Sequence, residues 1–444
     1  MCKFFTGDEL RTVIHFEDGV DFEVFSYETD VGTIESLSLS ERLANTSGNI
    51  LGVITGNSLN VKIVDKNNVL SVLNADSTFD KYVKHNIKIE AFNKERDADD
   101  WSPIGTFITD GWSNNITEGN KSTVSISGHD EFHDYCNMSL PNLRAYINVP
   151  ISMLVDDIFN KIGLSGRYIF DSSLDVTLPV SVSTENTVRD ALNLICQAIL
   201  ARASMGRDGI VRFTSVLPKV DTYKEISELM IKSVGGSENY NNTYKGVQVS
   251  YSDKNISESS DVVADIQNYK ALSGVNKLDR IKLDTSIYAL DYIKMEIGFN
   301  SSIDVDTIEI KYTGYQSGID VTVINNSNTE IEIKSIKIYA YKLNKTDYVS
   351  GDTGENVLKL SNNYLQGKDT VEAYILKVKE YLDKNKRILT VDTSIDTNTT
   401  YNDVLRFNLA DIGIKGLFLV IASNITFSNS YNHQLELIKL SDLD

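Results

Sequence analysis

The sequence has few cysteines, from which disulfide and zinc sites are built. Cys2, Cys136 and Cys196 lie far apart and form no CxxC pair, so neither a disulfide framework nor a zinc site of the usual spacing is predicted. This usage is typical of a reducing compartment, in which Cys196 is a small buried apolar residue. With 26 glycines and 5 prolines in 444 residues, collagenous and low-complexity chains are excluded.

Long apolar runs are also missing. Nowhere do 18 apolar residues follow one another, which predicts no transmembrane helix and no stable membrane insertion. Residues 1–11 lack the apolar segment and small-residue cleavage site of a secretory signal. We therefore expect neither a membrane span nor a signal peptide.

Positive charge is scarce. Lys and Arg number 43 against 62 Asp and Glu, a net charge of −19, whereas a general nucleic-acid binder shows a basic surplus. The excess is uneven, because residues 1–135 hold 23 acidic and 11 basic residues and the other 309 hold 39 and 32. With 41% hydrophobic and 24% charged residues, the composition is that of an ordinary globular protein of about three domains.

The first 135 residues are predicted to form an antiparallel β domain. Val20, Phe22 and Val24 alternate with acidic residues, and a similar alternation covers 59–63. A period of two is typical of half-buried strands. A tube-like barrel or sandwich is expected over 1–135.

A helical period follows, and we predict a small α+β domain over 136–243. In 151–162, apolar residues fall at 151, 154, 155, 158, 159 and 162, with Pro150 before them and Gly163 after them. This face is expected to pack on the sheet that contains Ile210 and Phe213. A second helix is predicted to start after Ser183 or Thr184, and a strand to cover 210–216.

Two further domains complete the predicted organisation. Residues 244–345 are expected to form a compact β-sandwich of short strands, and residues 346–444 an α+β return domain that completes a second tube-like unit. The return domain contains a predicted helix over 369–384. The fold class is thus a β-rich, multidomain α+β protein with two tube-like β domains, a small α+β domain and a β-sandwich insertion.

Catalytic signatures are weak. His129 and His133 flank Glu131, but the zinc-protease pattern places Glu directly after the first His, where Asp130 stands here. A strand-to-helix junction capped near Asp130 is the favoured interpretation, and a metal-dependent hydrolase using His129, Glu131 and His133 is a minor alternative. Asp97, Asp99 and Asp100 lack the later Gly and Glu of an EF-hand loop, which favours a solvated loop. No catalytic, cofactor-binding or metal-binding residue is predicted, and no cofactor.

Three stretches follow one another in a distinctive order. The first is 105–112 followed by 122–130, which ends in GHD; the second joins the helix 151–162 to TVRDAL at 187–192 and RDGIVRF at 207–213; the third comprises 356–365, the next helix and 408–420. In this order the chain resembles the hub proteins of phage tails and phage-like contractile particles. One departure is that Asp411 and Gly413 are separated, whereas the family's return segment usually carries an adjacent Gly-Asp pair.

The resemblance implies a structural role. A hub ring joins the tail tube or a distal tail protein to a central spike or fibre, next to the tape-measure protein, and DNA is only transiting cargo. Two tube-like domains per chain imply that a homotrimer presents six. The chain ends in a strand-like run at 435–440, so no appended peptidoglycan hydrolase is expected. Location in a virion tail, after assembly in the host bacterial cytoplasm, is implied as well.

Two questions stay open at this point. A receptor-binding or fibre-anchoring tail protein, with the sandwich holding a glycan or another chain, is the alternative function. The acidic excess of residues 1–135 predicts a pore wall that is mainly acidic and repels phosphates, while acidic loops facing solvent outside the ring are the competing interpretation.

Overall fold

The fold is described from a computed structural model of the chain. It describes residues 9–16, 19–42, 51–52, 54, 56–66, 68–71, 86–94, 99–117, 121–141, 143, 146–181, 183, 185–220, 222–226, 230–238, 244–282, 288–299, 305–315, 318–393, 399–428 and 430–442. The predictions made above for Cys2, Asp97 and Thr184 lie outside the described residues.

The N-terminal unit consists of seven antiparallel strands. They are β1 (Glu9–Phe16), β2 (Val20–Phe25), β3 (Gly32–Arg42), β4 (Ser58–Asp65), β5 (Lys88–Lys94), β6 (Ser102–Thr117) and β7 (Lys121–His129). They pair in the order β3-β4-β7-β6-β5-β1-β2. Alternate aliphatic residues such as Leu37, Leu39, Val61 and Ile63 turn inward and form one buried core, as the period of two predicts.

The small α+β unit follows. Its elements are α1 (Glu131–Asn137), β8 (Tyr146–Pro150), α2 (Ile151–Lys161), β9 (Tyr168–Phe170), β10 (Thr177–Ser181), α3 (Val188–Ile199), β11 (Ala201–Met205) and β12 (Val211–Ser215). The strands form two small sheets, β10-β8 and β11-β12-β9. A second core contains the buried faces of all three helices.

The insertion is built around two long strands. After β13 (Lys224–Glu225) and β14 (Ile231–Glu238) come β15 (Gly246–Ala271), β16 (Gly274–Lys277), β17 (Ile281–Lys282), β18 (Tyr288–Phe299), β19 (Ile308–Tyr315), β20 (Gly318–Asn325) and β21 (Ile331–Gly351). β15, of 26 residues, and β21, of 21 residues, pair antiparallel from Gln248 with Gly351 to Ala271 with Ile331. The prediction of short strands is therefore wrong for these two, which continue beyond the sandwich core as a ribbon beside the return segment.

The C-terminal elements complete one continuous sheet. They are β22 (Val357–Ser361), α4 (Lys368–Lys384), β23 (Arg387–Thr393), β24 (Val404–Leu409), β25 (Ile414–Phe427) and β26 (Tyr431–Ser441). β25 pairs with β3, so the sheet runs β14-β23-β26-β25-β3-β4-β7-β6-β5-β1-β2, with β24 beside β25 and β13 beside β24. This path does not close on itself within the described ranges.

The helix predictions are mostly confirmed. All six apolar positions of the α2 face are buried in the core that contains Phe213, although the strand begins at Val211 rather than Ile210. The start of α3 was predicted too early, because the Thr187 hydroxyl accepts the Asp190 N–H and caps the helix there. α4 begins one residue before its predicted start. None of the helices in the described ranges has the length and apolar character needed to cross a membrane.

The β-rich, multi-sheet fold class is confirmed. The boundaries of the four predicted domains and their finer description stay predictions.

Candidate functional site

Eight neighbouring strands share one face that is almost free of large and charged side chains. We call it the polar face, and it lies opposite the buried cores, on β6, β7, β4, β3, β25, β26, β23 and β14 in that order. Its residues are Gly111, Ser113, Ser125, Ser127, Asn60, Lys62, Ser36, Ser38, Ser40, Asn424, Thr426, Asn432, Gln434, Glu436, Thr390, Asp392, Ser233 and Gly235.

The strand register aligns these side chains into rows. Ser38 lies opposite Asn60 on β4 and opposite Thr426 on β25. Across the junction of the two half-sheets, the Ser40 hydroxyl donates a 2.7 Å hydrogen bond to Asn424 Oδ1. Because the rows cross from β3 to β25 without a shift, the N-terminal and C-terminal halves present one common surface.

Two of the three charged residues on the polar face, Lys62 and Asp392 but not Glu436, are engaged by neighbours. Lys62 Nζ lies 2.8 Å from Glu35 Oε2. Asp392 accepts hydrogen bonds from Ser233 at 2.6 Å and from Gln434 at 3.0 Å. The Ser233 bond in particular holds the pKa of Asp392 below its usual value, although burial opposes it. The face therefore offers mainly hydroxyl and amide groups, with Glu436 as its one charge that has no partner among the described residues.

The face is also concave over the N-terminal half. A depression of about 740 Å³ lies over β3, β4, β7, β6 and the end of β25. It is lined by serine, threonine, asparagine and glycine, and by Leu37, Val61, Trp112, Ile126 and Phe427, which alternate with them along the strands. Lys62 is the single charged residue in this lining.

Charged residues collect on a different surface of the same unit. On the outer side of β2, β1 and β5, which we call the charged face, His15 lies 2.8 Å from Asp21 and 3.1 Å from Glu90, and Lys88 lies 2.6 Å from Glu90. Three other acidic residues of the unit, Glu41, Asp65 and Asp130, are buried. The acidic excess of residues 1–135 is thus partly buried and partly on the charged face.

Each end of the polar face has a strand edge with no second partner strand among the described residues. In the part of the chain that the structure describes, β14 pairs with β23 alone. At the other end, β6 bonds toward β5 as far as Thr109, and among the described residues the rest of β6 pairs only with β7. Such edges are templates for pairing with another chain.

The RDG motif lies at the junction between the small unit and both halves of the sheet. Arg207 forms a two-pronged ion pair with Glu41 of β3, at 2.7 and 2.9 Å, and donates to the Thr399 carbonyl at 3.4 Å. Asp208 instead pairs with Arg212 and accepts the Ile210 N–H. Gly209 has a φ of +73°, which favours glycine in this turn.

Asp130 fixes a second contact at this junction. Its carboxylate accepts the backbone N–H groups of Asn57, at 2.7 Å, and of His133, at 3.0 Å, so it caps α1 as predicted. Burial raises its pKa to about 6, although those hydrogen bonds favour the charged form. Asn57 also donates from its amide to the Met205 carbonyl at 2.9 Å.

The His129 ring is held by two carboxylates and lies tilted against the His133 ring. The His129 ring contacts Asp110 at 3.2 Å and Asp134 at 2.8 Å, and its centroid lies 4.4 Å from that of His133. Glu131, the proposed acid of the hydrolase alternative, pairs with Arg167 at 2.8 Å. Among the described residues, no group of three or more metal-ligating side chains could hold an ion. Cys136 and Cys196 are buried in the helical core, and burial raises the pKa of both thiols.

A signal for the polar face is present in the sequence. Residues 36–40 read SLSLS and residues 122–127 read STVSIS, which alternate small hydroxyl residues with aliphatic ones. This alternation predicts strands, and the small uncharged residues on its outer side are the signal from which the polar face could be predicted. Neither the Glu41–Arg207 contact nor the β3–β25 pairing has a local signal, because each joins residues far apart in the chain.

Comparison with known proteins identifies the fold. The structure is similar to the 43 kDa tail protein of prophage MuSo2 from Shewanella oneidensis, with a TM-score of 0.53 and 9% identity over 98% of both chains. It is also similar to a tail protein from Neisseria meningitidis MC58, with a TM-score of 0.54 and 9% identity over 97% of this chain and 96% of that one. No protein-family model matches the sequence, and no curated protein matches it. The chain has the fold of phage tail proteins, which confirms, at the level of the fold, the resemblance found in the sequence.

Proposed function

We propose that the protein is a structural, non-enzymatic hub of a phage or phage-like tail, located in the particle's baseplate or tip. The observation that carries this proposal is the polar face, which crosses from the N-terminal to the C-terminal half of one sheet without interruption. A wall that is built jointly by two similar units per chain suits a ring that joins six-fold tube rings to a three-fold spike or fibre.

Three copies close the ring by head-to-tail pairing. β14 of one copy meets β6 beyond Thr109 in the next, which places against each other two edges that have no second partner among the described residues. A heterologous contact of this kind closes into a ring when the rotation fits a point group. The eight strands of the polar face then continue from copy to copy around a central passage.

The polar face forms the wall of that passage. A basic wall would bind phosphates, and release would then require displacing many ion pairs. Here Lys62 is already paired with Glu35, and the neighbouring side chains are hydroxyls and amides. In this proposal the wall is weakly charged, in place of the mainly acidic wall that the composition predicts, and among its described side chains transiting DNA finds no unpaired cation.

The remaining surfaces serve assembly. A hub has three kinds of partner. The tail tube or distal tail protein binds on one side, the spike or central fibre binds on the other, and the tape-measure protein binds during assembly. Function in the virion tail follows from these contacts, with assembly in the host bacterial cytoplasm.

Cross-linking tests the ring contact. The variant that carries both Ser113→Cys on β6 and Ser237→Cys on β14 is treated with a short bis-maleimide. Both positions are exposed, and a flexible linker tolerates uncertainty in strand register. Covalent dimers and closed trimers are expected, together with a native mass about three times 49.6 kDa.

The matched controls are the two variants that carry only one of these substitutions, and Cys2 is replaced by serine in all three proteins. In a head-to-tail ring neither substitution alone brings two introduced cysteines together at the interface, so neither yields dimers. Strong dimer formation by Ser113→Cys alone indicates a two-fold contact instead and contradicts the proposal. A monomer at every concentration, without cross-links, contradicts it as well.

A further inference from the structure

The charged face carries an aromatic patch that the ring does not use. It consists of Phe25, Tyr27, Phe92 and Trp101 around Arg11, and we call it the Arg11 patch. Phe25 and Tyr27 are stacked with ring centroids 4.9 Å apart, and Phe25 lies 6.0 Å from Trp101. All four rings are half-buried, so each keeps part of its surface in solvent.

Arg11 is fixed within this patch. Its guanidinium carbon lies 4.5 Å from the Phe92 ring and 5.0 Å from the Trp101 ring. Nη1 is 3.5 Å from Glu23 Oε1. In register, Arg11 lies between Phe25 on β2 and Phe92 on β5. Arginine held among aromatic rings is the composition that anchors protein–protein interfaces.

An unpaired strand edge borders the patch. In the described ranges β2 pairs with β1 only. At its end the Thr33 hydroxyl donates to the Phe25 carbonyl at 3.3 Å, so the part of the edge that faces another strand lies before Phe25, at Asp21 and Glu23. An extended peptide that pairs there gains main-chain hydrogen bonds and lays alternate side chains along the outer side of β2.

The charge beside this edge selects the partner. Asp21 and Glu23 are exposed at alternate positions of β2, on the side where Phe25 contributes to the patch. Glu9, which precedes Arg11 on the same side of β1, is exposed as well. A strand seated here therefore encounters two carboxylates and then an aromatic surface.

We propose that the edge of β2 and the Arg11 patch bind a β-strand of a different protein, with two basic side chains and then an apolar or aromatic one at alternate positions. The basic side chains lie against Asp21 and Glu23, and the third packs on Phe25 and Tyr27. A second copy of this chain, at a net charge of −19, is a poor match for this surface. A neutral glycan makes no use of the strand edge. The proposal is independent of how the ring closes.

Peptide binding to the full chain tests this inference. The probe is a fluorescein-labelled, amide-blocked peptide of sequence TKVKVYVT, which has Lys, Lys and Tyr at alternate positions, and its counterpart TEVEVYVT. Fluorescence anisotropy is expected to show saturable binding of the lysine peptide and an affinity for the glutamate peptide that is at least tenfold lower. The Trp101→Ala substitution is expected to lower the affinity for the lysine peptide by at least tenfold.

Charge reversal separates attraction of the peptide to Asp21 and Glu23 from attraction to the net charge of the protein. Asp21→Lys with Glu23→Lys is expected to reverse the peptide preference. Glu330→Lys with Glu332→Lys makes the same change in net charge on the exposed part of the insertion and is expected to leave the preference unchanged; circular dichroism checks the folding of each variant. Equal effects of the two double variants, equal binding of the two peptides, or no saturable binding up to 1 mM would overturn the proposal. Saturable binding of chitotriose without binding of the lysine peptide would overturn it in favour of a glycan site.

Discussion

Glu41 of β3 and Arg207 of the RDG turn form a buried ion pair in which two guanidinium nitrogens meet both carboxylate oxygens, at 2.7 and 2.9 Å. Their side chains are 3% and 9% exposed. The same guanidinium reaches the Thr399 carbonyl. One arginine thus joins the N-terminal sheet, the small α+β unit and the C-terminal segment, and the orientation of the small unit against the polar-face sheet depends on it.

Removing one partner of this pair is expected to be costly. Arg207→Ala leaves Glu41 buried without its cation, which lowers the free energy of unfolding by about 3–5 kcal/mol. Arg212→Ala removes a more exposed pair, with Asp208 47% exposed, and is expected to cost under about 1 kcal/mol. Urea unfolding of both variants measures the difference, and similar midpoints for the two would show that Arg207 does not fix the junction.

Acid is expected to stabilise the junction through Asp130. A carboxyl whose pKa rises from 3.8 unfolded to about 6 folded binds its proton more tightly in the native state. Stability therefore decreases as the pH rises from about 4 to about 6 and is level above that, a contribution on the order of 3 kcal/mol. The difference in unfolding free energy between the wild type and Asp130→Asn, measured from pH 4 to pH 7, reports this group. If the wild type gains stability relative to the variant over that range, the hydrogen bonds from Asn57 and His133 outweigh burial and the assignment is wrong.

The α2 face is expected not to tolerate charge. Ile158 is fully buried in the helical core, so Ile158→Asp places a carboxyl there and is expected to cost several kcal/mol, a large share of a domain's stability. Asn160→Asp, on the exposed side of the same helix, is the matched control and should unfold close to the wild-type midpoint. Soluble, normally assembled Ile158→Asp protein would show that this face was assigned wrongly.

Gly52 is expected to be essential for seating the segment that ends at Asn57. A Cβ at Gly52 would lie 2.3 Å from the Asn193 carbonyl oxygen of α3, and φ is +74°. Gly163 has a similar φ of +83° but open space around it. Both alanine variants carry backbone strain of about 1 kcal/mol, so a clearly larger loss in thermal stability for Gly52→Ala isolates the steric contact. Equal losses would mean that the segment moves aside without cost.

Sequence patterns predict those elements whose boundaries are set by residues close together in the chain. The α2 helix was placed almost to the residue because its apolar face, flanked by Pro150 and Gly163, has a helical period. The start of α3 was misplaced because Ser183, Thr184 and Thr187 are all capping residues, and only the packed structure selects Thr187.

Long-range pairing had no such signal. The outer half of β15, 256–270, is largely polar and forms a strand because β21 pairs with it along its length. Composition assigns the acidic excess to residues 1–135 of the chain, but it does not show on which surface of the folded unit these residues lie. Glu41 is buried against Arg207, whereas Asp21 and Glu23 lie on the charged face, and only the register shows that the polar face excludes them.

The central claim is that the polar face lines the passage of a three-fold ring. Electron cryo-microscopy of the purified, assembled ring tests it most directly, because it shows which side chains face the axis. We predict three copies around a passage whose wall carries Ser38, Asn60, Ser125 and Thr426, with the Arg11 patch outside. A ring whose wall is formed mainly by Asp21, Glu23 and Glu90, or a protein that forms no ring, would contradict this account.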